Sequence, residues 1–495
     1  MASTSSTPAA EDSQSSPDVK VTYVIYPKDG TNKADVETVE NYLKFYSEES
    51  SFYTSQTKTV GVNFWLAKLS HRHAQLLTTA LAKETHSIYP QLFGRASNVI
   101  SQHPDPTTAI HYQDYPFIKE APIDHLAFVC QEEGRSLKDY RNRYYFDDSE
   151  PLPGRGVPVY VVDTGANLDH KEFRRIRQDV EWIHIGEDIN AEENAEDDSG
   201  MDPLQLCTEG KSHGTAMLSL VTGERLGVSK AVKPYLVRVP RCRVPTVTSG
   251  NASSGATLEH WLEAVSKVCD HLTETSAETK AIMLMAFQVE RKALVRHGVD
   301  HAKGFDCRIF FLLQNLVSMG VLPITGAGNN TQMGNKIDGL PANFGRTNYE
   351  RQIPELLVVG GIHTTEFNLV AQTDFDRGLP HIFAPAFGLR VANGNYAQWA
   401  RRDGKDGEYR GTKGSSCAAA ITAGLAAYFW RLVQIGSLGL ADKSPLGLKN
   451  YIISDELKWS RCSDVHGREL PAIWNGAIMP TLSEHVQAQL PPPGL

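Results

Sequence analysis

The period of the apolar positions changes several times along this chain, and each change marks an element. Val19 to Tyr26 alternates as a strand does, and Val36, Val39, Leu43 and Tyr46 then fall on one face of a helix. Val62, Phe64 and Leu66 alternate again. Ser70 stands where it caps a second helix carrying Ala74, Leu77 and Leu81, and Thr85 to Tyr89 closes the set as a short strand. Residues 19–92 therefore read as a β-α-β-β-α-β unit. Residues 93–150 mix Pro, Asp, His and Tyr without a sustained period, as a linker with short elements does. From residue 151 to about 480 the pattern is α/β. Val157 to Val162 is a nearly continuous apolar run, typical of a strand buried on both faces. Leu258, Trp261, Leu262, Val265, Val268 and Leu272 make a helical stripe. Ile282 to Met285 reads as a buried strand, Phe310 to Met319 as a helix, Val321 to Thr325 and Pro354 to Val359 as strands, and Cys417 to Leu432 as a long apolar helix. Strands alternating with helices predict a parallel sheet with helices on both faces, whose sites lie at the carboxyl ends of the strands.

A chain of 495 residues exceeds what one core holds, which again predicts two domains. Residues 1–18 read as a disordered polar leader and 481–495 as a tail. The leader has neither a basic start nor an apolar h-region, so no secretory signal is expected there and an intracellular setting is favoured. A net charge of -9 argues against a general nucleic-acid binder, which needs a basic patch. No uninterrupted apolar stretch has membrane-spanning length. Seven scattered cysteines, an odd number, suggest neither a disulfide framework nor a zinc site. The acidic run from Glu187 to Asp198 reads as a solvated insertion. Calcium takes carboxylate oxygens, so a structural calcium site stays open there without a loop signature to support it, and no cofactor is expected to be required.

Three segments carry candidate chemistry: Val162-Asp163-Thr164-Gly165, Ser212-His213-Gly214-Thr215 and Ser415-Ser416-Cys417-Ala418. They supply a carboxylate, an imidazole and a hydroxyl, the inventory in which an acid orients a base and the base activates a nucleophile. Asp163 ends an apolar strand. His213 starts a plausible helix, and Ser416 directly precedes the long apolar one, where free N–H groups and the helix dipole favour developing negative charge. Asn329, after a buried strand and the turn Gly326-Ala327-Gly328, offers an amide that can join the Ser416 N–H in holding an oxyanion. Taken singly, each is ordinary: a turn Asp, a structural His, a helix-capping Ser, a loop Asn. Their order gives them weight.

With these residues, the chain resembles the subtilisin-like serine proteases, in the flavour of their fungal proteinase-K-like members. The stretch from Tyr145 through Val157 and Asp163 to His170 and Phe173 carries most of the likeness, with His381 to Pro385 and Ile473 to Gly476 as further matches, over residues 140–480. The resemblance implies a serine endopeptidase acting on polypeptides, with Asp163 orienting, His213 as base then acid, Ser416 attacking and Asn329 at the oxyanion. It implies an amino-terminal propeptide that inhibits its own catalytic domain through the last strand, Thr85 to Pro90, with self-cleavage within 90–150. It also points to secretion, against the missing signal. This sequence departs from the family at Ala216 and Ala420. It departs again at the substrate-lining segment, usually Ser-Leu-Gly-Gly, whose counterpart is Ala286-Phe287-Gln288-Val289, where Phe287 or Gln288 narrows the pocket. Two alternatives stay open: a scaffold that binds peptides without cleaving them, for which the altered segment and the missing signal speak, or a narrow peptide-processing enzyme.

Overall fold

The computed structural model describes residues 20–47, 52–91, 124–140, 144–147, 149, 152–185, 213–239, 242–244, 253–255, 257–275, 280–290, 295–296, 299–300, 302–329, 336–363, 375–394, 408–463 and 467–478. The leader, the acidic run, residues 92–123 and the tail lie outside the described residues. The chain divides into two compact units, one of residues 1–56 and 60–91, the other of residues 57–59 and 92–495.

The first unit contains β1 (Lys20–Pro27), α1 (Lys33–Tyr46), β2 (Phe52–Thr57), β3 (Gly61–Ser70), α2 (His71–Ala80) and β4 (Thr85–Pro90). Among the described residues its sheet runs β2-β3-β1-β4, with β1 antiparallel to both β3 and β4. This is the split ferredoxin-like order. Asn32 starts α1 by accepting from the Ala34 N–H at 3.1 Å, and Ser70 Oγ starts α2 by accepting from His73 at 3.2 Å. Val39 and Leu43 on α1 and Ala74 and Leu77 on α2 then pack on Ile25, Trp65, Ala67 and Leu69 of the sheet. The apolar pattern did not locate β2. It is an edge strand of mostly polar residues, Phe-Tyr-Thr-Ser-Gln-Thr, and an edge strand carries a weaker hydrophobic signature.

The second unit is built on β5 (Pro158–Asp163), β6 (Glu181–His184), β7 (Lys233–Arg238), β8 (Ala281–Met285), β9 (Val321–Gly326), β10 (Leu357–His363), β11 (Ile382–Phe387), β12 (Lys458–Ser463) and β13 (Glu469–Ile473). Among the described residues these form one sheet in the order β12-β13-β11-β10-β9-β8-β5-β7-β6, parallel except for β12. Its helices are α3 (Asp124–Cys130), α4 (His213–Thr222), α5 (Leu258–Thr275), α6 (Ala302–Ser318), α7 (Ser415–Ile435) and α8 (Pro445–Ile452). Val159, Val161, Ile282, Leu284, Ile324 and Val359 share a core with α4 and α7. Tyr160 points the other way, as strand alternation requires, and its hydroxyl meets His271 Nδ1 of α5 at 2.8 Å. The sheet is therefore covered on both faces, which explains its unbroken apolar strands. Two boundaries differ from the pattern: α6 begins at Ala302, well before Phe310, and β10 begins at Leu357, because Pro354 lies in the preceding turn.

The helix α7 is long and apolar enough to cross a membrane by length and composition, yet most of it is buried within this unit. Gly424 brings it against α4: a Cβ there would lie 2.2 Å from Val228 Cγ2 and 2.9 Å from the Val221 carbonyl oxygen. The helix stops at Gly436, whose φ of 80° suits glycine.

Three buried histidines tie this unit to pH. His125 Nε2 meets the Leu226 carbonyl at 2.8 Å. His260 and Thr257 cap α5 reciprocally, N–H to side chain in both directions, at 3.2 and 3.3 Å. His381 Nδ1 accepts from the Val358 N–H at 3.0 Å beside the buried Lys449 ammonium. Burial lowers His125 and His260 to about 4, and burial together with Lys449 lowers His381 to about 3. The folded values lie below the ordinary value, so the unfolded chain binds these protons. Stability is full above about pH 6.5 and is lost as pH falls toward the folded values, at up to about 1.4 kcal/mol per pH unit for each imidazole. Urea midpoints measured from pH 7 to 4.5 should fall steadily. His260→Gln, which keeps the cap, should flatten the slope; an unchanged slope in that variant would count against burial of a neutral His260.

Candidate active site

The site forms where β5, β9 and β11 end and where α4 and α7 begin. Asp163 is the last residue of β5 and is 2% exposed. Its Oδ1 accepts the Thr164 N–H at 2.7 Å, and Gly165 turns the chain with a φ of 91°. The first turn of α4 is laced to this loop. Thr164 Oγ1 accepts from Gly214 N–H at 3.3 Å, and Thr215 Oγ1 accepts from Asn167 N–H at 2.9 Å. A Cβ on Gly214 would stand 2.0 Å from the Gly165 carbonyl oxygen, so only glycine permits this approach.

The approach presents His213 to Asp163. His213 Nδ1 lies 2.8 Å from Asp163 Oδ2 and 3.0 Å from Oδ1. A carboxylate only accepts, so Nδ1 carries the proton and Nε2 is left as the acceptor. That Nε2 lies 3.1 Å from Ser416 Oγ. Sequence-distant residues 163, 213 and 416 thus form one hydrogen-bonded line from a buried carboxylate to a partly exposed hydroxyl.

Ser416 is placed by a second set of close approaches. Gly414, with a φ of 133°, donates its N–H to the Ala386 carbonyl in β11 at 2.8 Å and starts α7. Ser415 Oγ accepts from the Gly328 N–H at 3.1 Å, and the Ser415 N–H donates to Asn329 Oδ1 at 2.6 Å. A Cβ on Gly326 would collide with Ser415 at 2.7–2.9 Å, so the last residue of β9 must also be glycine. The bond to Ser415 fixes the Asn329 amide: its oxygen faces Ser415, which leaves the NH2 as the free end. A Cβ on Gly414 would stand 3.1 Å from Asn329 Nδ2 and 3.6 Å from Ser416 Oγ, so the two groups flank one small space. The N–H groups of the first turn of α7, Ser416 among them, have no intrahelical acceptor of the i−4 kind and point toward that end. Ser415 was not singled out in the sequence, although its place between Gly414 and Ser416 was the available signal.

Ala286, Phe287 and Gln288 follow β8 directly and are 8%, 3% and 7% exposed. The Phe287 ring stacks on Trp261 of α5 with centroids 3.9 Å apart and planes inclined by 21°. Gln288 Nε2 instead donates to the Ala327 carbonyl at 3.4 Å. Of the two side chains expected to narrow a pocket, Phe287 is committed to packing beneath α5, whereas Gln288 is turned toward the segment that carries Asn329. Ala216 and Ala420 lie in the core. Among the described residues, no group of three or more His, Cys, Asp or Glu is arranged to hold a metal ion. Cys130, Cys269, Cys307 and Cys417 are free thiols, and burial pushes Cys417, next to Ser416, up to about 12.

Comparison with known proteins fits this geometry. The family model described as the Subtilase family matches residues 154–454. A cuticle-degrading serine protease of Orbilia oligospora is 24% identical over 327 residues, which cover 66% of this chain and 60% of that protein. A subtilisin-like protease of Coccidioides posadasii is 25% identical over 410 residues, covering 80% and 70% respectively. The matched region spans about three fifths of the Orbilia relative's length. Among solved structures, an epidermin leader peptide processing serine protease from Staphylococcus aureus superposes with a TM-score of 0.54 at 12% identity, over 92% of this chain and 97% of its own. Fervidolysin from Fervidobacterium pennivorans gives 0.53 at 14% identity, over 93% and 62%. At these identities the two structures establish the fold.

The backbone approach at Gly214 generates its own test. Gly214→Ala should separate the start of α4 from the Gly165 loop and destabilise the unit by roughly 1–3 kcal/mol, as overpacking does. It should also remove the low-field proton resonance of an imidazole N–H bonded to a carboxylate. A variant that keeps both its stability and that resonance would show that the approach is not tight.

Proposed function

The chain belongs to the subtilase family, and on that premise we propose that it is a serine endopeptidase whose proton relay is Asp163, His213 and Ser416. The observation that carries the proposal is the bridging position of His213, with Nδ1 on the carboxylate and Nε2 on the hydroxyl. Asp163 holds the imidazole in the tautomer whose Nε2 accepts. When a peptide carbonyl carbon stands over Ser416 Oγ, His213 takes the hydroxyl proton and Oγ bonds to that carbon. The carbonyl oxygen becomes an oxyanion, for which Asn329 Nδ2 and the Ser416 N–H are the donors. His213 then passes its proton to the amine as the C–N bond breaks, leaving an acyl-enzyme. A water molecule repeats the sequence, giving its proton to His213 and releasing the acid. Asp163 stays ionised throughout and stabilises the imidazolium.

The same reading gives the amino-terminal unit a role. It has its own core and ferredoxin-like order and precedes the family-matched region. We assign it as an intramolecular inhibitor whose release follows self-cleavage within residues 90–150, so that the protein is made as a zymogen acting on polypeptides. The passage from β4 to α3 provides the chain length for such a cut.

Two substitutions test the relay and the processing together. Ser416→Ala should abolish labelling by a fluorophosphonate probe and leave the purified chain at full length by mass spectrometry, whereas the unsubstituted protein should be found shortened. Labelling that persists would exclude Ser416 as the nucleophile, and shortening that persists would exclude self-cleavage. Asn329→Ala should lower kcat by about 10²–10³, the size of one lost oxyanion donor in subtilisin, with little change in KM. An unaltered kcat would remove Asn329 from the mechanism.

A further inference from the structure

We propose that the Gln288 side chain fills the slot that receives the acyl-side residue of the peptide, so that this enzyme cleaves after glycine or alanine and excludes large side chains there. The proposal rests on the reading of Ser416 and Asn329 given above. A peptide carbonyl held between Ser416 Oγ and Asn329 Nδ2 has its acyl-side Cα one bond away, so that residue's side chain must enter the space beside the Ala327–Asn329 segment. The neighbouring wall follows from the sheet. The strands β8 and β9 are parallel, with Met285 opposite Thr325, so Ala286–Gln288 leaves β8 alongside Ala327–Asn329 leaving β9. This is the crevice outside the carboxyl ends of adjacent strands.

Gln288 spans that crevice. Its Nε2 donates to the Ala327 carbonyl, two residues before Asn329, at 3.4 Å. A Cβ on Gly339 would stand 1.9 Å from Gln288 Nε2 and 2.3 Å from both Cδ and Cγ. The side chain therefore packs closely against the Gly339 backbone, which is held opposite Glu290 by the Val289–Leu340 ribbon. Phe287 is instead stacked on Trp261, so it does not enter the slot. Gln288 is 7% exposed and touches both the Ala327 carbonyl and the Gly339 backbone, so on this proposal a chain longer than a methyl group does not enter beside it. A larger residue must displace the amide from Ala327, and each methylene of misfit is worth about 10-fold or more in discrimination.

Peptidyl diphenyl phosphonates that differ only in Ala or Phe at the reacting position test this on the full chain. The unsubstituted protein should react with the Ala compound at least about 100-fold faster than with the Phe compound. In Gln288→Gly the Ala-to-Phe ratio should fall by at least about 10-fold. Gln288→Ala, which keeps a Cβ on the backbone, should move it the same way and serves if the glycine variant does not fold. The ratio is internal to each protein, so a general loss of activity cancels. Equal rates in the unsubstituted protein, or a ratio that neither variant changes, would overturn the proposal. If fluorophosphonate labels Ser416 in none of the three, the enzyme reading fails on its own. The slot is then tested by indole, which should raise the melting temperature of Gln288→Gly saturably and leave the unsubstituted protein unmoved. Indole binding to neither, or to both alike, would again overturn the slot.

Discussion

The seating of the first turn of α7 on the end of β9 is the constraint from which the site follows. Three contacts make it: the bare Cα of Gly326 under Ser415, the Gly328 N–H on Ser415 Oγ, and the Ser415 N–H on Asn329 Oδ1. One serine, itself outside the hydrogen-bonded line, thereby sets both the hydroxyl of Ser416 and the amide of Asn329. A side chain on Gly326 would lift α7 off the strand and separate the two groups. Because the contacts are backbone to backbone or backbone to short side chain, the arrangement has little freedom to relax. Donors held in place before substrate arrives need no reorganisation when charge develops.

Much of this was legible in the sequence because the relevant signals are local. The Asp-Thr-Gly, His-Gly-Thr and Gly-Ser-Ser segments carry glycines and small residues where turns and close approaches require them, and the alternation of apolar strands and helices identifies the α/β sheet. Ser70 stands as a cap in the sequence and caps α2 in the structure. What was hidden depends on neighbours that the sequence does not name. The polar composition of β2 makes sense at a sheet edge. The short strand β7 begins with a charged residue and a proline, and only its place between β5 and β6 identifies it. The collision of a Cβ at Gly214 with Gly165, or at Gly339 with Gln288, arises between segments with no pattern in common. The directions of Phe287 and Gln288 likewise depend on their contacts with Trp261 and Ala327, which composition does not encode.

Burial serves two ends in the second unit. Around the site it shields the Asp163 carboxylate while leaving Ser416 partly open to solvent. Away from the site it encloses imidazoles that must stay uncharged, each held by a backbone or capping partner that fixes its tautomer. The fold thus carries its acid sensitivity in residues remote from the chemistry.

The contact between α4 and α7 at Gly424 has a consequence for how such a protein diversifies. The base and the nucleophile each begin one of two helices that press directly on one another, so their separation is set by a rigid strut in the interior. Surface connections around the cleft can lengthen, shorten or change composition without altering the spacing across which the proton moves.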